Sequence, residues 1–156
     1  MGLDMYLSGK RYMSKVFREA DEPKQNAIAK LFPELEGWAG RWGDASPVKE
    51  VSIDVGYWRK ANAIHDWFVR ECQGGEDECK PHWVGREQLA ELKAVCEQVL
   101  ADKEKAKELL PTASGFFFGS QEYDQYYFND LENTVAIIDK ALTLPEDWEF
   151  EYRSSW

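Results

Sequence analysis

The chain has 156 residues, 44% of them hydrophobic and 14% aromatic, and 29 acidic against 19 basic side chains give a formal charge of −10. That length is the size of one domain, and the apolar content excludes a globally disordered chain. The acidic balance argues against a broad grip on duplex nucleic acid or an anionic membrane and leaves room only for a local basic pocket.

No run approaches the roughly 18 apolar residues of a membrane-spanning helix. The opening MGLDMYLSGKRY lacks the basic and apolar regions of a secretion signal, and Tyr6 stands where a myristoylation motif needs Ser or Thr. Cys72, Cys79 and Cys96 are odd in number and suit a reducing compartment rather than a disulfide framework. The expected location is the cytoplasm.

In chain order, Leu3, Met5 and Leu7 alternate with Asp4, Tyr6 and Ser8, which predicts a half-buried strand over 2–13. Asp21 precedes a short helix of about ten residues from Glu22, carrying Ile28, Leu31 and Phe32. Residues 34–47, with three Gly, two Trp and Pro47, read as a loop. Val51, Ile53 and Val55 share one face of a second strand over 48–57, which leads directly into a helix with Tyr57, Ala61, Ile64, Phe68 and Cys72 on its buried side.

The polar run QGGEDECKPH reads as an exposed loop. After Gly85, the residues Leu89, Leu92, Cys96 and Val99 recur at three and four positions, which predicts a core helix, and KEKAKE follows as a charged helical turn. Pro111 ends that unit. The segment TASGFFFGS reads as a short aromatic strand or loop, with Ser120 as N-cap of a long helix whose inner stripe is Tyr123, Tyr127, Leu131, Thr134, Ile138 and Leu142. Trp148, Phe150 and Tyr152 alternate with Glu149, Glu151 and Arg153 in a last strand. The expected fold is α+β: a single domain over 1–156, with a small antiparallel sheet of about three strands packed by about four helices.

Two segments carry candidate chemistry. On a helix from Tyr57, the side chains of Trp58, Asn62 and His65 fall along one flank, with Arg59 and Lys60 beside them. Trp stacks on a base, Asn bonds a base edge or ribose, His binds phosphate or moves a proton, and Arg and Lys hold an anion. The bland alternative stays open: Trp58 and His65 in the core, Arg59 paired with an acid such as Glu122 or Asp124; for the cluster as a whole, so much polar and aromatic chemistry within eight positions exceeds what a packing helix requires.

In the second segment, Ser114, Gly115, Phe117, Ser120 and Tyr123 lie where hydroxyls and backbone N–H groups could wrap an anion at a helix start. It matches neither the GxxxxGK[ST] nor the GxGxxG fingerprint, and a buried aromatic strand flanked by turns fits as well. Cys79 and His82 have ligand-like spacing, but Cys72 and Cys96 occupy core positions of helices, so no metal and no cofactor are expected. No motif supports a catalytic triad.

The runs GLDMYL, YWRKANAIHDWFV, REQLAELKAVCEQVL and LLPTASGFFFGSQEYDQYYFNDLENT closely resemble a family of small proteins encoded by bacteriophages and prophages. The resemblance implies a phage origin and an infected bacterial cytoplasm, and it brings no catalytic residues. By analogy with small accessory phage proteins, the expected function is capture of a small anionic, nucleotide-like ligand, such as a host immune signal, without turnover.

The expected ligand-binding residues are Trp58, Arg59, Lys60, Asn62, His65, Ser114, Gly115, Phe117, Ser120 and Tyr123. Two alternatives stand beside it: an enzyme acting on a nucleotide or phosphate compound with His65 as acid or base, and an acidic inhibitor of a host protein. A homo-oligomer sharing its pocket between subunits suits so small a chain.

Overall fold

The structure, a computed structural model, describes residues 2–44, 46–115 and 118–156. The fold is α+β, as the sequence predicts, with four strands in one antiparallel sheet of order β2-β1-β4-β3. The strands are β1 (Asp4–Tyr12), β2 (Glu50–Arg59), β3 (His82–Val84) and β4 (Glu149–Ser155). The helices among the described residues are α1 (Glu22–Ala29), α2 (Asn62–Cys72), α3 (Arg86–Ala101), α4 (Ala106–Leu109) and α5 (Gln125–Leu142). Contacts divide the chain into two compact units, Lys10–Ser52 and the remainder.

The larger unit holds the apolar core. Period-2 alternation on β1 buries Met5 and Leu7, and β4 buries Phe150 and Tyr152 in the same way. Helix α3 presents Leu89, Leu92, Cys96 and Val99, all fully buried, and α5 presents Leu131, Thr134 and Ile138. The rings of Phe68 and Tyr152 stack with centroids 4.0 Å apart. No Cβ fits at Gly56, where it would stand 2.4 Å from Ile137 Cγ2, so α5 lies against the strand closely enough to require glycine there. Strand β3 pairs with β4 in the register His82 with Tyr152, Trp83 with Glu151 and Val84 with Phe150.

Several predicted boundaries shift for identifiable reasons. The second strand continues to Arg59, and Lys60 takes φ +60°, so the helix expected from Tyr57 starts at Asn62. Strand β2 is an edge of the sheet, which leaves Ile53 and Tyr57 partly exposed instead of facing a core. The polar loop expected up to His82 ends in β3. The long helix starts at Gln125 with Asp124 as its N-cap, not Ser120: Asp124 Oδ1 accepts from the backbone N–H of Tyr126 and Tyr127 at 2.9 and 3.1 Å. Ser120 instead caps locally, its Oγ accepting from Glu122 N–H.

The Lys10–Ser52 unit is assembled differently, around polar side chains. Buried Asp21 accepts from Arg11 at 2.7 Å. Asp44 accepts from the Ser14 hydroxyl and from Lys15 N–H. Gln25 Nε2 donates to the Val48 carbonyl at 2.7 Å. Leu31 and Phe32, expected on the α1 helix, lie beyond its end and are exposed.

Candidate functional site

A cavity of about 260 Å³ opens in the larger unit where the β2–α2 junction meets Thr112, residues 119–124 and the first turns of α5. Arg59, Lys60 and Asn62 line it from the junction, Thr112, Gly119, Ser120 and Glu122 from the intervening loop, and Asp124, Tyr126 and Asp130 from α5 and its cap. The fold thus brings together parts of both predicted segments. Arg59 ends β2, and the left-handed turn at Lys60 swings its side chain to the cavity before α2 begins. The loop passes close by, since a Cβ on Gly119, itself at φ +87°, would stand 3.1 Å from Lys60 Cβ.

Asn62 is a loop clamp. Only 3% exposed, it donates from Nδ2 to the carbonyls of Phe118 (3.1 Å) and Ser120 (2.8 Å), while its Oδ1 accepts from Ala113 N–H at 3.1 Å. The amide is thereby occupied in fixing Ala113, Phe118 and Ser120 over the start of α2. Thr112 Oγ1 donates to the Gln121 carbonyl and Tyr123 Oη accepts from Thr112 N–H, which closes the loop at its base.

Electrostatically the cavity is mixed. Arg59 and Lys60 are exposed cations whose side chains have no hydrogen-bonded or ion-paired partner among the described residues, so the expected pairing of Arg59 with Glu122 or Asp124 is not made. Opposite them stand three carboxylates, of which Asp124 is engaged as a helix cap. Asp130 has its carboxyl pushed up to about 6, first by burial and then by the nearby charge of Asp124. Tyr126 is 80% exposed at the rim. Anchors for an anion, acceptors for hydroxyl or amino groups and an aromatic face therefore meet in one place.

The remaining predicted residues fall elsewhere. Trp58 is a core side chain, 2% exposed, donating from Nε1 to Thr134 Oγ1 at 2.8 Å. Because Trp58 is on a strand and Asn62 and His65 are on a helix, the shared helical flank expected for the three does not exist. Ser114 and Gly115 are exposed and do not line the cavity. Gly115 is required by packing, because a Cβ there would lie 2.5 Å from the Phe118 ring. Tyr123 is half-buried against Tyr127. Phe117 lies outside the described residues.

His65 is buried on the far side of the clamped loop, with the Phe118 ring edge-on at 5.0 Å. Its Nε2 meets Asp77 Oδ2 and its Nδ1 meets Tyr152 Oη, both at 2.8 Å. A carboxylate only accepts, so the neutral ring carries its proton on Nε2 and accepts at Nδ1 from the Tyr152 hydroxyl. Asp77 Oδ2 also accepts from Trp156 Nε1 at 2.6 Å, and Oδ1 from the Ser154 hydroxyl. Burial draws the His65 pKa below its usual value, with Asp77 opposing. Burial alone would raise Asp77, but the charge of His65 and the Trp156 hydrogen bond bring it below the usual carboxylate range.

Cavity residues missed by sequence reasoning are Asp130 and Tyr126. Both sit beside the α5 core stripe, where nothing in the spacing separates them from any other wet helix position. Among the described residues, no group of three or more His, Cys, Asp or Glu side chains is placed to hold a metal, and no helix is long and apolar enough to cross a membrane. Compared with known proteins, the chain matches no family model, no curated protein and no solved structure.

Proposed function

We propose that the protein is a phage-encoded cytoplasmic factor that captures a small, anionic, nucleotide-like ligand in this cavity without turning it over, so removing a host immune signal from circulation. The convergence of Arg59 and Lys60 on one cavity with the clamped loop and Asp130 carries the reading. The two cations anchor phosphate through charge-assisted hydrogen bonds. Asp130 and Glu122 accept from ribose hydroxyls or an exocyclic amine, and Tyr126 offers a face to the base. About 260 Å³ is near the lower end of small-molecule sites, which run from roughly 300 to 1,000 Å³, and suits one nucleotide unit rather than a long chain.

Capture is favoured over catalysis because the histidine expected as acid or base and the hydroxyls of the cavity are engaged, which leaves the raised Asp130 carboxyl as the group a catalytic reading would have to use. Both nitrogens of His65 are bonded behind the loop, the Ser120 hydroxyl accepts from Glu122 N–H, and the Thr112 hydroxyl donates to a carbonyl. Amide NMR spectra recorded during titration with cyclic mononucleotides, cyclic dinucleotides and ADP-ribose-derived nucleotides test the site. The expected result is shifts at Lys60, Asn62, Ser120 and Tyr126 and recovery of intact ligand after denaturation. No shift there with any member of the panel would remove the proposal, and recovery of altered ligand would replace capture with catalysis.

A further inference from the structure

The Lys10–Ser52 unit inverts the usual order of a small fold. Its buried side chains are largely polar, Arg11, Ser14, Asp21, Gln25, Asp44 and Ser46 among them, while Phe17 (77%), Leu31 (75%), Trp38 (65%) and Trp42 (86%) are exposed. Scattered apolar residues on a surface are ordinary, but large aromatic side chains held out by a unit whose interior is polar point to a partner.

Two adjoining cavities give the surface its shape. One, of about 470 Å³, is lined by Ala29, Phe32, Pro33, Leu35 and Trp38. The other, of about 350 Å³, is lined by Tyr12, Arg41, Trp42 and Lys49. Ser46 and Pro47 line both, so the two adjoin: the first is mainly apolar, with Lys30 and Glu36 also in its lining, and the second is aromatic and basic, with Asp44 there tied up in internal hydrogen bonds.

The turn that carries Trp42 is held in place by its surroundings. Trp42 takes φ +60°, a left-handed conformation that is costly for a bulky residue. Gly43 follows at φ +91°, and a Cβ on Gly40 would stand 2.3 Å from the Ser46 carbonyl oxygen. Asp44 closes the turn through its buried hydrogen bonds to Ser14 and Lys15. Strain of this kind persists where the surroundings over-determine it, and it is a feature that clusters at binding and switch segments.

The charge of the unit says what kind of partner fits. Lys10–Ser52 holds eight Lys and Arg against seven Asp and Glu, a net +1, which leaves −11 for the rest of a chain of −10. Of its seven acids, Asp21 and Asp44 are buried in internal hydrogen bonds, Glu22 pairs with Lys15, and Glu36 lines the first cavity, whereas in the second cavity Arg41 and Lys49 have no ion-paired partner among the described residues. Two cations beside two exposed rings are too few for a polyanion, whose hold depends on many phosphate contacts. They match one or two carboxylates on a segment that also carries apolar side chains.

We propose that Lys10–Ser52 is a docking surface for an acidic, apolar peptide segment of a partner protein. Trp38 and Trp42 anchor the apolar side chains, and Arg41 and Lys49 meet the carboxylates. Aromatic and Arg anchors of this kind dominate the energetics of protein interfaces.

The full-length protein, immobilised, is used to select binders from a displayed random dodecapeptide library, and the enriched consensus is synthesised and titrated against wild type and variants. The expected outcome is a consensus that combines Asp or Glu with Leu, Phe or similar residues. Its affinity should fall about tenfold or more in W42A and in R41A/K49A, weaken as salt rises, and stay unchanged in R59A/K60A. Trp42 is nearly fully exposed, so W42A keeps the fold, which circular dichroism verifies. Failure to enrich, a consensus without acidic residues, or full binding by W42A would overturn the proposal. So would a concentration-dependent dimer that W42A dissociates, because the face would then belong to a second copy.

Discussion

At the scale of single residues, three side chains carry testable energetics. Asn62 makes three part-buried hydrogen bonds to the loop, at Ala113, Phe118 and Ser120, and N62A leaves two carbonyls and one N–H without it. At about 1 kcal/mol for each neutral bond, N62A should cost roughly 2–3 kcal/mol in chemical denaturation, with faster hydrogen exchange confined to the loop. An unchanged loop would show that Asn62 is not its clamp.

Asp130 has a folded pKa of about 6 against an ordinary 3.8, so the folded protein prefers it protonated. Its ionisation costs stability above about pH 6, and that cost is absent below about pH 4. D130N should therefore stabilise the protein at pH 8, by about 1 kcal/mol after allowance for partial exposure, and change little at pH 4. Melting temperatures at the two values decide it.

His65 runs in the opposite sense. Its folded pKa lies below 6.5, so the stability held by its neutral form is full above that value and is lost as pH falls from 6.5 towards the folded pKa. Asp77, also lowered, holds its contribution until pH falls below about 3.8. Because Asp130 opposes His65 between these limits, the comparison belongs in a D130N background. There H65Q should flatten the decline on acidification.

At the scale of elements, α5 and β2 show what decides packing. A methyl group on Gly56 would meet Ile137 within the core-facing side of α5, so G56A should cost about 1–3 kcal/mol in denaturant unfolding, the usual range for overpacking. Recovery in the double variant G56A/I137V would identify the contact as the cause.

Elements with an unbroken period were legible in the sequence. The α3 stripe Leu89, Leu92, Cys96 and Val99 is fully buried as its spacing predicts, and Met5, Leu7, Phe150 and Tyr152 are buried as the alternation predicts, while Trp148, expected on the last strand, lies before β4 and is half-buried. The failures came where two patterns overlap or where no period exists. Residues 57–61 satisfy a strand pattern and a helical one, and the left-handed turn at Lys60 that separates them leaves no mark in composition. Strand β3 has three residues at the end of a polar run, too short for any periodicity, and is defined by its pairing with β4. Ser120 and Asp124 are both good N-caps, and only backbone geometry chose between them.

At the scale of the molecule, residues chosen from two distant stretches of sequence separate into three roles. Arg59, Lys60, Asn62 and Ser120 meet at the cavity, Asn62 as part of its wall and clamp. Trp58 and His65 belong to the interior, and Ser114, Gly115 and Tyr123 belong to the loop that divides interior from cavity. Sequence could nominate the chemistry but not sort it, because a buried histidine with two partners and a ligand-binding histidine are the same letter at the same helical spacing. Asp77, the residue that fixes His65, lies in a loop read as exposed.

Isothermal titration of the full-length protein and of R59A/K60A, against the same panel of cyclic and ADP-ribose-derived nucleotides, tests the capture site most directly. At least one nucleotide should bind wild type with one site per chain, and the double variant should bind it about 10- to 100-fold more weakly, the loss expected for one charged hydrogen bond or more. Absence of heat with every member, or equal affinity in the variant, would contradict the site.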